Sequence, residues 1–199
     1  MSATDLQSGA AARAQAARLL ASWWSRPTAR ETERWDASWE SAIAVADSLL
    51  EPSSRVFDLE AALDEASATE LLEEYERLLV GPGRVSCAPY ESLWRTDAPR
   101  REHGVLMGAA AADVAVIYRD LGLQVRSDAH ELPDHVAIEW EALAHAFEND
   151  ADASASALLG DHLAQWIPSF AAAVAAETNR LFYATLARVT AEWTAALAA

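Results

Sequence analysis

No lysine occurs in this chain of 199 residues, so all 15 basic side chains are arginine, set against 31 acidic ones. The formal net charge is −16. A Lys-free, Ala- and Arg-rich composition fits a GC-rich genome, and a strongly acidic surface fits either halophilic solvation or attraction to a basic partner. Both readings exclude nucleic acid, whose phosphates such a surface repels. Cysteine is nearly absent as well. Cys87 stands alone, which rules out an internal disulfide and leaves nothing that requires an oxidising compartment. Long apolar runs are missing: Val105 to Tyr118 is interrupted by Asp113 and is too short to span a bilayer. Met1 to Ala12 lacks a basic segment followed by an apolar one, so no export signal is expected. The expectation is a protein in the cytoplasm without stable membrane insertion.

What is abundant is apolar and helical. Just over half of the residues are hydrophobic and eight are tryptophan, enough for a substantial core in one domain spanning 1–199, with disorder expected only to about residue 8. Ala16, Leu19, Leu20, Trp23 and Trp24 recur at helical spacing, and Ser25-Arg26-Pro27 ends the stripe. Trp35, Trp39, Ile43, Ala46 and Leu50 form a second stripe, closed by Glu51-Pro52-Ser53-Ser54. Ser67 and Glu70 read as a capping box opening a third, through Leu71, Leu72, Tyr75, Leu78 and Leu79. A small-residue helix is predicted from Glu102 to Leu121 with Gly122 as its C′ residue, and Pro133 is placed in the first turn of the next helix, whose buried face is Val136, Trp140, Leu143 and Phe147. Asn149–Ser156 reads as a polar loop. Leu159, Leu163, Trp166, Ile167 and Phe170 follow, with a kink or break at Pro168, and Phe182, Leu186, Val189, Trp193 and Leu197 close the chain. No segment alternates like a strand, so the fold class is all-α, a helical bundle.

One segment breaks the periodicity. From Val80 to about Arg101 the chain carries Gly81-Pro82-Gly83, Pro89 and Pro99, yet also Tyr90, Leu93 and Trp94. A loop of this length is uncommon in a compact domain and is usually functional or disordered. Its apolar content predicts that it packs on the bundle and helps form a surface for something else.

Two stretches carry a resemblance. Tyr75-Glu76-Arg77-Leu78-Leu79-Val80-Gly81-Pro82-Gly83, running on to Ala88-Pro89-Tyr90-Glu91-Ser92-Leu93-Trp94, and then Glu131-Leu132-Pro133-Asp134-His135-Val136-Ala137-Ile138-Glu139, resemble signature segments of the TorD/DmsD/NarJ family of redox-enzyme maturation chaperones. Asp161-His162-Leu163, Trp166-Ile167-Pro168 and Phe182-Tyr183 are weaker matches. Leu79, Ala88 and Leu93 depart from the commonest residues at their positions. The resemblance implies a protein without turnover or cofactor of its own. Its partners would be the apo catalytic subunit of a DMSO-reductase-type molybdoenzyme and that subunit's twin-arginine leader, held until the molybdopterin cofactor is in place.

Such a leader presents two guanidinium groups ahead of an apolar stretch. Glu91, Glu131, Asp134 and Glu139 can accept bidentate arginine bonds, and Leu78, Leu79, Tyr90, Leu93 and Trp94 can wall an apolar groove. Tyr75, Pro89, Ser92 and His135 complete the candidate site. Structural readings stand beside this: Asp134 can favour a helix start, His135 and Glu139 can form a surface i,i+4 pair worth about 0.2–0.5 kcal/mol, and Trp94 can be core. A second function class is a metal-dependent hydrolase using His135, Glu139 and His162. His130 and His135 are five apart rather than the four a zinc-protease helix needs. His145 completes no ligand set, no phosphate loop follows Gly81-Pro82-Gly83, and the acidic surroundings of Cys87 disfavour a thiolate. A monomer and a domain-swapped dimer are both compatible with these helices.

Overall fold

A computed structural model describes residues 3–49, 54–82, 85–96, 104–126 and 131–199. It is all-α. The helices are α1 (Ala3–Trp23), α2 (Ala29–Asp36), α3 (Trp39–Leu49), α4 (Ser54–Asp64), α5 (Ala68–Tyr75), α6 (Ala109–Asp120), α7 (Val136–Glu148), α8 (Asp152–Ser156), α9 (Ala164–Glu177) and α10 (Leu181–Ala198). Among the described residues no strand forms. The sole β-type feature among them is an isolated antiparallel bridge between Tyr90 and His135.

The stripes read from the sequence are the faces that pack. α1 lies along α7 and α3, and α10 lies along α9 and α4. Ala16, Leu19, Leu20, Trp23 and Trp24 are all buried, as are Phe182, Leu186, Val189, Trp193 and Leu197 of α10. Trp23 contacts both Trp39 and Trp193, with ring centroids 5.5 and 5.8 Å apart, so three helices meet on indole rings. The Trp24 indole N–H donates to Thr190 Oγ1 at 2.9 Å, which meets the need of a buried donor.

Five local expectations need correction. The second stripe is two helices, since Ala37 caps α2 before Trp39 starts α3. The helix expected from Glu102 starts at Ala109: Gly104 and Met107 sit at φ 67° and 61°, in the left-handed region, which a right-handed helix cannot contain. Its end is as expected, with Gly122 at φ 72°. Pro133 precedes α7 rather than entering its first turn, because His135 stays extended and takes the cap. Asn149–Ser156 is not all loop. After Asp150, at φ 53°, the chain is helical again from Asp152, passing through a π-helical segment, Ala157–Leu163, into α9. Nor does Pro168 break α9, which continues to Glu177. Pro168 is exposed, so the carbonyl it leaves unpaired can face water. The first two residues, Leu50 to Ser53, Gly83-Arg84, the stretch 97–103 with Pro99, and His130 lie outside the described residues.

No helix among the described residues is long and apolar enough to cross a membrane.

Candidate functional site

The irregular segment begins where α5 loosens. The capping box starts this helix: Glu70 N–H donates to Ser67 Oγ at 3.2 Å, and Ser67 N–H donates to Glu70 Oε2 at 3.0 Å. Beyond Tyr75 it passes into a π-helical turn, Glu76–Val80, that ends at Gly81 with φ 98°, a conformation available at little cost only to glycine. Arg77 ties this end down. It grips Glu74 at 2.7 and 2.8 Å and donates to the Glu177 carbonyl at 2.7 Å. These bonds, with those from Thr178 and Asn179, hold the Glu74 carboxyl down at a pKa of about 2 despite its burial. The chain then folds back, and Cys87 N–H donates to the Leu78 carbonyl at 3.1 Å. Burial, helped by nearby Glu177, pushes the Cys87 thiol up to about 11, which keeps it a thiol.

The second motif is laid against the first. Glu91 N–H donates to Asp134 O at 3.0 Å, and Val136 N–H donates to Pro89 O at 2.9 Å. The Asp134 carboxylate reaches across to accept the Ser92 N–H at 3.0 Å, at the start of a 3₁₀ turn, Glu91–Leu93. Asp134 therefore serves the first motif, not the start of its own helix. That start belongs to His135, whose Nδ1 accepts the Ala137 N–H at 3.1 Å. Burial lowers the His135 pKa to about 4, leaving the ring neutral and able to accept. His135→Ala is expected to cost about 1 kcal/mol and His135→Asn, which can still cap, much less; equal losses in urea titrations would deny the cap its role.

Beneath this seam lies a buried polar hub. Glu91, Asp134 and Glu139 have no exposed surface, and Ser92, His135 and His162 have little. Glu91 is held from two sides, by Arg95 Nη1 at 2.5 Å and by His162 Nδ1 at 2.8 Å. Trp166 Nε1 donates to Glu139 Oε2 at 3.2 Å. Burial, reinforced by neighbouring Glu91 and Asp134, raises the Glu139 pKa well above the usual carboxylate range and favours its protonated form. Tyr118 closes the hub from α6 by donating to the Pro133 carbonyl at 2.8 Å.

Of the thirteen residues singled out from the sequence, Pro89 to Trp94 and Glu131 to Glu139 come together in this unit. Most face inward. Tyr75, Leu78 and Leu79 are core, as are Pro89, Glu91, Ser92, Asp134, His135 and Glu139. Tyr90, Leu93, Trp94 and Glu131 are half-buried and form the accessible rim. Tyr90 donates to Glu131 Oε2 at 2.9 Å and meets the His135 ring edge-on, with centroids 5.4 Å apart. Trp94 rests on Phe170 and donates to the Ala88 carbonyl at 2.7 Å. His135 and Glu139 do not form a surface pair. Their spacing serves two different buried partners.

Sequence reasoning missed three participants. Arg95 is a partner of Glu91 and stands in no recognisable pattern, and Trp166, read only as part of a helical stripe and a weak motif match, is the partner of Glu139. The third is the turn before α6. Val105, Leu106 and Met107 are exposed, Met107 at 68 %, and the turn abuts the first motif, since a Cβ on Gly108 would sit 3.7 Å from that of Ser92. Three consecutive exposed apolar residues are a legible signal, but a helical reading of 102–121 concealed them. As for the metal-hydrolase reading, no group of three or more His, Cys, Asp or Glu among the described residues is arranged to hold a metal ion. His135 and His162 are already engaged, with Ala137 and Glu91.

Comparison with known proteins identifies the family. Residues 32–172 match the family described as nitrate reductase delta subunit, and the chain belongs to that family, the one that includes the TorD and NarJ chaperones. It is 29 % identical over 126 residues to chaperone protein TorD of Shewanella pealeana, covering 62 % of this chain and 57 % of that protein. Its counterpart from Shewanella piezotolerans is likewise 29 % identical over 126 residues, covering 62 % and 59 %. The chain thus spans under two thirds of the length of these relatives. A crystal structure described as a redox enzyme maturation protein from Archaeoglobus fulgidus superposes with a TM-score of 0.63 over 90 % of this chain and 91 % of that one, at 23 % identity, and so shares the fold.

Proposed function

We propose that this protein is a cytoplasmic, non-enzymatic maturation chaperone that binds the apo catalytic subunit of a DMSO-reductase-family molybdoenzyme, or its twin-arginine leader, before cofactor insertion and export or assembly. The observation that carries this reading is the union of the two family segments into one unit. Its rim combines a half-buried acid, Glu131, with Tyr90, Leu93 and Trp94, beside the exposed turn Val105–Met107. An apolar surface next to a carboxylate, on a chain of net charge −16, suits a partner that is both basic and apolar.

The test is titration of the purified protein with the precursor subunit and with a synthetic leader, at low and high salt. Leu106→Asp and Met107→Asp alter exposed side chains, so melting temperature should hold while affinity falls about tenfold, or about 1.4 kcal/mol. Unchanged affinity would remove the turn from the contact surface. No association of any precursor at micromolar concentration would end the reading.

A further inference from the structure

We propose that the cavity bounded by α1, α7 and the extended stretch 123–126 is an effector site for a small amphipathic carboxylate, and that Tyr118 transmits its occupancy to the seam between the two motifs. The proposal goes beyond the chaperone reading, and its test involves no client, so either can fail without the other.

The cavity follows from two local patterns. Beyond Gly122 the chain runs extended and its side chains alternate: Leu123 and Val125 are half-buried, Gln124 and Arg126 exposed. On α7, Ile138, Glu141, Ala142 and His145 recur at i, i+3, i+4 and i+7 and so share one face, while Glu139 turns to the hub from another. Between these two walls lies a space of about 330 Å³, at the lower end of the range of about 300–1,000 Å³ for small-molecule sites. Leu123, Val125, Ile138, Ala142 and the Tyr118 ring make its lining mainly apolar. Such a lining suits a short alkyl or aryl body, which loses its contact with water on entering.

The polar groups of the cavity favour an anion at the other end of that body. Arg18 and Arg126 bring two guanidinium groups and Glu141 one carboxylate, with Gln124 and His145 beside them. This lining is locally positive on a chain of net charge −16. Arg18 is already oriented. Its Nε and Nη2 donate to Glu148, which stands outside the cavity, at 2.8 and 2.6 Å, and this grip fixes the plane of the guanidinium. The partner of Nη1 is Glu141 Oε1 at 3.9 Å, beyond hydrogen-bond length, and the Glu141 side chain is 64 % exposed. A ligand carboxylate at Nη1 replaces a distant, solvated partner with a charge-assisted hydrogen bond. Glu141 is free to swing into water, where screening weakens its repulsion of the newcomer.

Tyr118 links the cavity to the seam. Its ring belongs to the cavity wall. Its carbonyl accepts the Leu123 N–H at 2.7 Å, and its hydroxyl donates to the Pro133 carbonyl at 2.8 Å. One residue thus holds both the outer wall of the cavity and the stretch that leads into α7, where Val136 N–H closes the seam on the Pro89 carbonyl. A ligand packed against the ring restrains both attachments, and local opening of the seam becomes rarer.

The test titrates the full chain with octanoate, octanol and octylamine. Calorimetry reads affinity, amide NMR shifts at Leu123 to Arg126 read the place of binding, and hydrogen exchange reads the seam amides of Glu91 and Val136. Octanoate is expected to bind at least about tenfold more tightly than octylamine. At saturation it should slow exchange at the two seam amides about fivefold or more. Arg18→Gln should weaken octanoate to the level of octanol, with the fold kept, because the Arg18–Glu148 pair lies at the surface. Val125→Trp, which fills the cavity, should abolish binding of all three. Tyr118→Phe should remove the slowing at saturating octanoate, since the hydroxyl that holds Pro133 is gone. The site is overturned by the absence of octanoate binding at millimolar concentration, by equal affinity for the amine, or by octanoate affinity unchanged in Arg18→Gln or Val125→Trp. If Val125→Trp does not fold, Arg18→Gln and the NMR shifts decide. Octanoate bound in the cavity with seam exchange unchanged, or slowed equally in Tyr118→Phe, overturns the effector role.

Discussion

Glu91→Ala is expected to lower stability by about 3–5 kcal/mol, the cost of removing one partner from a buried ion pair and leaving the other uncompensated. Glu91 has no exposed surface and is the point at which three parts of the chain converge: its own 3₁₀ turn, Arg95 one helical turn on, and His162 from the π-helical segment. Its loss strands His162, itself only 6 % exposed, in a site with no alternative acceptor among the contacts identified. The measurement is urea denaturation of the single variants and of the double variant with His162→Leu. Because the two side chains share one contact, their effects should combine to less than their sum, with a coupling of about 1–3 kcal/mol. His162→Asn, which keeps a donor near the Nδ1 position, should retain more stability than His162→Leu. Strict additivity would show that the 2.8 Å contact contributes nothing.

Above about pH 4.5, Glu139 is expected to make stability fall as pH rises toward its folded pKa, and Glu139→Gln is expected to remove that component. The folded pKa of Glu139 lies well above the unfolded value of 4.5. Its contribution is therefore complete below about pH 4.5 and is lost as pH climbs through the folded pKa, because the unfolded chain ionises first. Two other groups act in the opposite sense. Glu74, lowered to about 2, contributes stability above 4.5 that is lost as pH falls through 2, and His135, lowered to about 4, contributes stability above 6.5 that is lost on the way down to 4. Glu74 is deprotonated in either state above pH 7 and His135 nearly so above about pH 8, while Cys87 begins to contribute only near 9. The difference between the unaltered protein and Glu139→Gln isolates the Glu139 contribution, whose slope has a ceiling of about 1.4 kcal/mol per pH unit for one proton. Chemical denaturation of both proteins from about pH 4.5 upward checks it. Identical profiles would place the proton elsewhere.

The bundle was legible in the sequence because its signal is periodic and local. The faces of α1, α7 and α10 could be read almost residue by residue, and so could the Ser67 capping box and the glycine after α6. What failed depended on backbone conformations that spacing does not encode. Met107 and Asp150 adopt positive φ without being glycine, so neither the late start of α6 nor the short turn before α8 carries a composition cue. Val56, Leu59, Ala62 and Leu63 of α4 have helical spacing and are buried, but the stripe is short and directly follows Pro-Ser-Ser, which reads as the stop of one helix more readily than as the start of the next. The site shows the same division. That the Gly/Pro-punctuated segment and the residues after Leu132 belong together was readable from the motifs, and they pair directly. Which of their side chains face outward was not. Acidic residues in a motif look like surface groups until the partners that let them be buried are known, and those partners, Arg95, His162 and Trp166, lie up to 71 residues away in the chain.

The π-helical segment Ala157–Leu163 has a consequence for how this protein tolerates insertions and deletions. Ala164 N–H reaches back to Leu159 O, a longer loop than an ordinary helical turn closes, so one residue more than usual is accommodated there. Excising one residue at the exposed Gly160 would let the turn relax to regular geometry while the helix on either side keeps its angular phase, whereas the same deletion in a regular helical stretch would rotate one side by about 100° relative to the other. In the first case His162 and Trp166 would still point at the carboxyl groups they now serve. The wide turn is thus the place in this helix where a gap is absorbed.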